Sequence, residues 1–93
     1  MQLSDTFAVS QDVVDRELGG EVVLLDLSSG LYFGLGSVGA RVWEMLSQKP
    51  RTLRELADDL EREFDAPIER IEADLLELAQ ALRERELIIE SPG

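Results

Sequence analysis

The chain contains no cysteine and no histidine among its 93 residues. Disulfides, thiolate metal sites, cysteine nucleophiles and imidazole bases are therefore excluded by inventory, and most enzyme mechanisms go with them. Positive charge is scarce as well. Nine Lys and Arg stand against 20 Asp and Glu, a formal net charge of −11 at pH 7, the wrong sign for a protein that holds a nucleic-acid backbone or an anionic membrane. The only lysine, Lys49, sits beside Pro50 at a predicted helix end, where a cation complements the helix dipole, so Schiff-base chemistry has no support. No window approaches the roughly 18 consecutive apolar residues of a membrane span, and Met1-Gln2-Leu3-Ser4-Asp5 lacks the basic and apolar stretches of a signal peptide. These absences lead to the expectation of a cytoplasmic, non-catalytic protein without metal or cofactor.

What is present is an ordinary apolar share of 44%, enough for folding despite the charge. A chain of this length buries roughly 65% of its unfolded surface, enough for one core, so residues 1–93 read as a single domain with an ordered part from about 7 to 89. After a loosely patterned start, Val13 to Leu18 runs into Gly19-Gly20, a two-residue hairpin signal. Glu21 to Leu27 returns as a strand apolar on both faces, as a central strand covered on two sides should be. Ser28-Ser29-Gly30 turns the chain into a third strand, Leu31 to Leu35, with Leu31, Phe33 and Leu35 on one face and Tyr32 and Gly34 on the other.

Helical periodicity then takes over. Ser37 is the expected N-cap of a first helix carrying Val38, Val42, Trp43 and Leu46, which stops before Lys49-Pro50. Thr52-Leu53-Arg54-Glu55 spells a capping box, followed at helical spacing by Leu56, Ala57, Leu60 and Phe64. Asp65-Ala66-Pro67 supplies a third start, with Asp65 as cap and Pro67 in the first turn, before a seam of Ile68, Ile71, Leu75, Leu78 and Leu82. Leu87-Ile88-Ile89 either finishes this helix or adds a strand stub. The expected fold is α+β and winged-helix-like: a three-stranded antiparallel meander followed by three helices.

Two motifs invite a functional reading and fail on context. Gly34-Leu35-Gly36-Ser37-Val38-Gly39 matches the G-x-G-x-x-G phosphate fingerprint, but a dinucleotide fold needs a second parallel strand after the helix, and here Pro50 and two more helices follow. The glycines read instead as close approach at an edge strand (Gly34), a tight or left-handed turn (Gly36) and close helix packing (Gly39). A helix-turn-helix reading would make the third helix a DNA-recognition element. From Ile68 to Glu86, however, six acids (Glu69, Glu72, Asp74, Glu77, Glu84, Glu86) stand against three arginines (Arg70, Arg83, Arg85). Acid pairs such as Asp58 with Asp59, or Asp74 with Glu77, lie beside apolar stripes and read as solvated helix faces.

What remains is geometric. The third strand of a meander that runs directly into helices has one strand neighbour, so its other edge offers unpaired backbone groups. That edge is apolar, carries no Lys or Pro, and contains Gly34. With the Ile71, Leu75, Leu78 and Leu82 stripe alongside, it would form an apolar groove with a hydrogen-bonding wall, the elements of peptide capture by strand addition. Asp74 and Glu77 are placed to meet basic groups of such a peptide. An open apolar edge also pairs with its own copy, so a monomer or a weak homodimer is expected.

The run Val23-Leu24-Leu25-Asp26-Leu27-Ser28-Ser29-Gly30-Leu31-Tyr32-Phe33-Gly34-Leu35, then Gly39-Ala40-Arg41-Val42-Trp43-Glu44-Met45-Leu46, then Arg51-Thr52-Leu53-Arg54-Glu55-Leu56, resembles the PqqD-like family, and the similarity continues through Asp74-Leu75-Leu76-Glu77-Leu78 to Leu87-Ile88. The resemblance implies a RiPP recognition element, a module that binds the leader segment of a ribosomally made precursor peptide as a strand against its third strand and third helix. The implied peptide-binding positions are Gly30, Leu31, Tyr32, Phe33, Gly34, Leu35, Ile71, Asp74, Leu75, Leu78 and Leu82. Stand-alone members with this pattern are similar to the leader-binding B protein of lasso-peptide pathways, whose partners are the leader, a separate leader peptidase and, in some readings, the cyclase. A carrier for a radical-SAM maturase, as in PQQ synthesis, is the alternative within the family.

Overall fold

The computed structural model describes residues 1–19 and 21–91. Its elements are β1 (Thr6–Val9), β2 (Val13–Leu18), β3 (Glu21–Asp26), β4 (Tyr32–Leu35), α1 (Ser37–Gln48), β5 (Arg51–Thr52), α2 (Leu53–Glu63), α3 (Ile68–Glu84) and β6 (Ile88–Glu90). The expected meander is β2-β3-β4, antiparallel and in that order. Gly19 takes φ +60 at the β2–β3 hairpin, as a turn glycine there should, while its expected companion Gly20 lies outside the described residues.

A second sheet stands where the sequence pattern offered only a possible C-terminal strand stub. β5, β1 and β6 pair antiparallel in the order β5-β1-β6, with Phe7 opposite Arg51 on one side and Glu90 on the other. The N-terminal segment is thus structural, contrary to its loose appearance: Phe7 is fully buried. Leu87 and Ile88 are buried too, and the C-terminal apolar run resolves as the strand stub and not as helix. Short strands with few alternating residues leave little periodicity to read, which is why pattern alone missed this sheet.

The capping box of α2 is present as expected: Thr52 Oγ1 accepts from the Glu55 N–H at 3.1 Å, and Glu55 Oε1 accepts from the Thr52 N–H at 3.1 Å. The bond from the Thr52 N–H, with a second from the Thr52 hydroxyl at 3.1 Å, holds the Glu55 carboxyl below its ordinary value. The other two expected caps are corrected. Gly36, not Ser37, is the N-cap of α1, and Pro67, not Asp65, that of α3; neither makes a side-chain cap bond. Gly36 is extended at φ −75, not left-handed.

The core gathers Phe7, Leu24 and Leu35 from the strands with Val42, Trp43, Met45, Leu46, Leu53, Leu56, Leu60, Leu75 and Leu82 from the helices. Gly39 matters at one contact. A Cβ there would meet Leu35 Cδ2 at 3.1 Å, so the glycine lets the first turn of α1 lie directly on the end of β4. Trp43 Nε1 is buried without a hydrogen-bond partner among the described residues, a cost that burial of the ring offsets. Val38 and Leu27, expected on buried faces, are 41% and 59% exposed; Leu27 lies past the end of β3 at Asp26. Replacing Thr52 by Ala removes the α2 cap and should lower unfolding free energy by about 1 kcal/mol, measured by urea denaturation with an unchanged m-value.

Candidate functional site

The site begins at the turn after β3. Asp26 accepts from the Ser28 N–H at 3.0 Å, from Ser28 Oγ at 2.8 Å and from Ser29 Oγ at 2.9 Å. Those hydrogen bonds, led by the one from the Ser28 hydroxyl, hold the Asp26 carboxyl below its ordinary value. Gly30, at φ +75, donates its N–H to the Asp26 carbonyl at 2.7 Å, while the Asp26 N–H donates to the Leu31 carbonyl at 3.0 Å. Two residues thus oppose one, with the first a glycine in the left-handed region: a G1 bulge, which fixes the register of everything that follows.

From that start the antiparallel alternation determines which way each backbone group of β4 points. Leu31 bonds to Asp26, so the next hydrogen-bonded pairs are Phe33 with Leu24 and Leu35 with Val22. The neighbouring hairpin agrees: the Leu27 N–H donates to the Asp12 carbonyl, which turns Leu25 and Val23 toward β2 and leaves Leu24 and Val22 for β4. The N–H and C=O of Tyr32 and Gly34 therefore point away from β3. Among the described residues no strand lies on that side. Tyr32 is 68% exposed, and a Cβ on Gly34 would meet nothing within 4 Å.

Helix α3 approaches β4 at one end. Its C-terminal end meets the start of the strand, where Arg85 stacks its guanidinium 4.9 Å from the centre of the Phe33 ring. A cavity of about 470 Å³ opens there, lined by Leu31, Tyr32, Phe33, Glu84, Arg85, Glu86 and Leu87 together with the Asp26 turn. Toward the N-terminal end of α3 a second cavity, about 300 Å³, is lined by Val38, Leu60, Phe64, Ala66, Arg70, Ile71 and Asp74. The first cavity takes in the start of β4; the second contains no β4 residue and is related to the strand through Val38, three positions past Leu35.

The expected site residues divide accordingly. Leu31, Tyr32 and Phe33 line one cavity and Ile71 and Asp74 the other, while Gly34 lies on the open edge and lines neither. Leu78 is half-buried. Leu75 and Leu82 are 2% and 1% exposed and lie in the core, as does Leu35; the α3 seam is broad enough to face both core and groove. Leu31 precedes the strand and is 63% exposed, not part of its inward face. Gly30 shapes the turn and lines neither cavity. Sequence reading missed Arg85, Leu87, Val38 and Phe64. No periodic signal marks a residue just past a helix end, although Arg85 and Leu87 both fall near the Leu82 seam. Among the described residues, no group of Asp and Glu is arranged to hold a metal ion, and no helix is long and apolar enough to cross a membrane.

The family model described as coenzyme PQQ synthesis protein D (PqqD) matches residues 21–88, from β3 through the start of β6. The chain belongs to the PqqD family. Two solved structures share this PqqD fold. TbiB1 in complex with the TbiA(beta) leader peptide is 36% identical, with a TM-score of 0.80 over 87% of this chain and 93% of that one. A lasso peptide synthetase B1 complexed with its leader peptide is 23% identical, with a TM-score of 0.78 over 89% and 96%, and bears on the fold alone. Comparison with curated proteins finds no match. The matched span begins after β1 and β2, so this PqqD-family chain carries its open β4 edge, its Asp26 turn and α3 all within the family's common part.

The Asp26 turn has a pH signature. Its folded-state carboxyl titrates below its unfolded value, so its stabilisation is present above the unfolded value and is lost as pH falls through the folded one. Asp26→Asn should therefore destabilise the protein most above about pH 5, with the difference from the parent shrinking toward pH 2–3. Thermal denaturation of both proteins across that range measures it, and a pH-independent difference contradicts the assignment.

Proposed function

We propose that this chain is a non-catalytic adaptor that binds the leader segment of a ribosomally made precursor peptide and presents it to separate processing enzymes, in the manner of lasso-peptide assembly. The observation that carries the proposal is the register of β4. The outward N–H and C=O groups of Tyr32 and Gly34 form a preset hydrogen-bonding wall, with a cavity at its Tyr32 end and a second between α1 and α3 to receive side chains of an added strand. The leader-peptide complex of TbiB1, which shares more than a third of its aligned sequence with this chain, supports the same reading.

Each backbone bond contributes about 0.5–1.5 kcal/mol net, so four of them with two filled apolar cavities suit an affinity on the order of micromolar. No loop must fold first, because the bulge and the α1 contact with Leu35 already hold the edge in place. The family also includes the carrier named for PQQ synthesis. The two readings differ in the partner: a leader peptidase for the first, a radical-SAM maturase for the second.

Titration with the leader of its own precursor peptide should give binding at micromolar concentration, and no binding near 100 μM (about −5.5 kcal/mol) overturns the proposal. Gly34→Pro removes an outward donor and places the ring where the leader backbone must lie, whereas Gly34→Ala keeps the donor and extends into open space. Leader affinity should fall at least tenfold in the proline variant and stay within about threefold in the alanine variant, with circular dichroism confirming that both fold. Equal affinity for both variants contradicts strand addition at this edge.

A further inference from the structure

Arg85 differs from the other arginines near α3. Arg54, Arg70 and Arg83 each reach a carboxylate within 4 Å, as do Arg41, Arg51 and Arg62 elsewhere in the chain. Arg85 lies between Glu84 and Glu86 in sequence, in a chain with 20 acids, and still makes no salt bridge among the described residues. Its guanidinium instead lies over the Phe33 ring, on the wall of the cavity at the start of the open edge.

The backbone at this point is fixed. Leu87 N–H donates to the Leu82 carbonyl and Glu86 N–H to the Arg83 carbonyl, both at 2.9 Å, a Schellman closure of α3. It requires Glu86 at φ 59, a left-handed conformation that glycine usually takes and that costs a residue with a side chain. Ser10 Oγ secures the same turn by donating to the Glu86 carbonyl at 2.6 Å. A guanidinium stacked on a ring keeps its N–H edges free in a defined plane, the geometry that grips a carboxylate through two parallel bonds. The one carboxylate of the cavity's turn, Asp26, is already engaged by Ser28 and Ser29. Glu84 and Glu86 are exposed and unpaired with Arg85, so their field is screened by salt more than a direct contact is.

We infer that Arg85 is a specificity residue that takes an acidic side chain of the bound leader at the Tyr32 end of the edge. This inference rests on the leader-binding reading and adds to it a residue that reads leader sequence. Acids line both cavities, Asp26, Glu84 and Glu86 around Arg85 and Asp65 and Asp74 around Arg70, but Arg70 lies 3.9 Å from Asp74 while Arg85 has no such partner among the described residues, so the selectivity comes from direct contact with the Arg85 guanidinium.

The test is a position scan of the leader of its own precursor peptide, each residue in turn replaced by Glu, Gln or Lys, titrated against the parent, Arg85→Gln and Arg85→Glu. The inference expects one position at which the parent prefers Glu over Lys by at least tenfold, Arg85→Gln loses the preference, and Arg85→Glu reverses it. If no position changes its Glu-to-Lys preference with residue 85 while binding stays sensitive to Gly34→Pro, the inference is overturned and strand addition stands. If the parent leader does not bind, or binds regardless of Gly34→Pro, the underlying leader reading fails instead. Arg85 is exposed, and the glutamine variant, which removes charge without reversing it, keeps the comparison valid if the glutamate variant proves unstable.

Discussion

The register of β4 against β3 is the constraint on which the site depends. An antiparallel strand directs its backbone groups alternately to one side and the other, so once Leu31 is bonded to Asp26, Phe33 and Leu35 are committed inward. Tyr32 and Gly34 are then committed outward. A slip by one residue would turn Phe33 and Leu35 out of the core and bury Tyr32, which the packing of Leu35 beneath Gly39 opposes. The Asp26 turn, the Gly30 bulge and the Leu35 contact with α1 thus act on one short strand from both ends. They leave it rigid with half its hydrogen bonds unmade.

An unpaired edge of this kind is a liability in most proteins, blunted with lysine, proline or an inward charge. Here the edge carries none of these, and the chain's acidity supplies the protection. With a net charge of −11 the molecule repels its own copies at long range while leaving the edge itself apolar. The two cavities differ in how their charges pair. Each cavity holds one arginine among acids, but Arg70 is within 4 Å of Asp74 whereas Arg85 lies over the Phe33 ring with no carboxylate partner among the described residues.

Much of this was legible in the residues. The meander, the three helices and the capping box follow from period-two and period-3.6 patterns and from Gly-Gly, Ser-Ser-Gly and Thr-x-x-Glu signals, and the open edge follows from the order of elements. The β5-β1-β6 sheet was not legible, because strands of two to four residues contain too few alternations to register, and Phe7 alone does not announce a strand. Nor could pattern divide the α3 stripe between Leu75 and Leu82, which fill the core, and Ile71, which reaches a cavity. The role of Arg85 depends on a left-handed residue at Glu86 and on a ring 52 positions earlier in the chain, a juxtaposition that only tertiary structure reveals.

Amide hydrogen exchange followed by NMR, with and without the leader peptide, tests the central claim most directly. In the free protein the Phe33 and Leu35 amides should be protected and those of Tyr32 and Gly34 should exchange rapidly; leader binding should protect Tyr32 and Gly34 and leave the other two unchanged. Protection of Tyr32 and Gly34 in the free protein, or leader binding without any change at these two amides, would contradict the account.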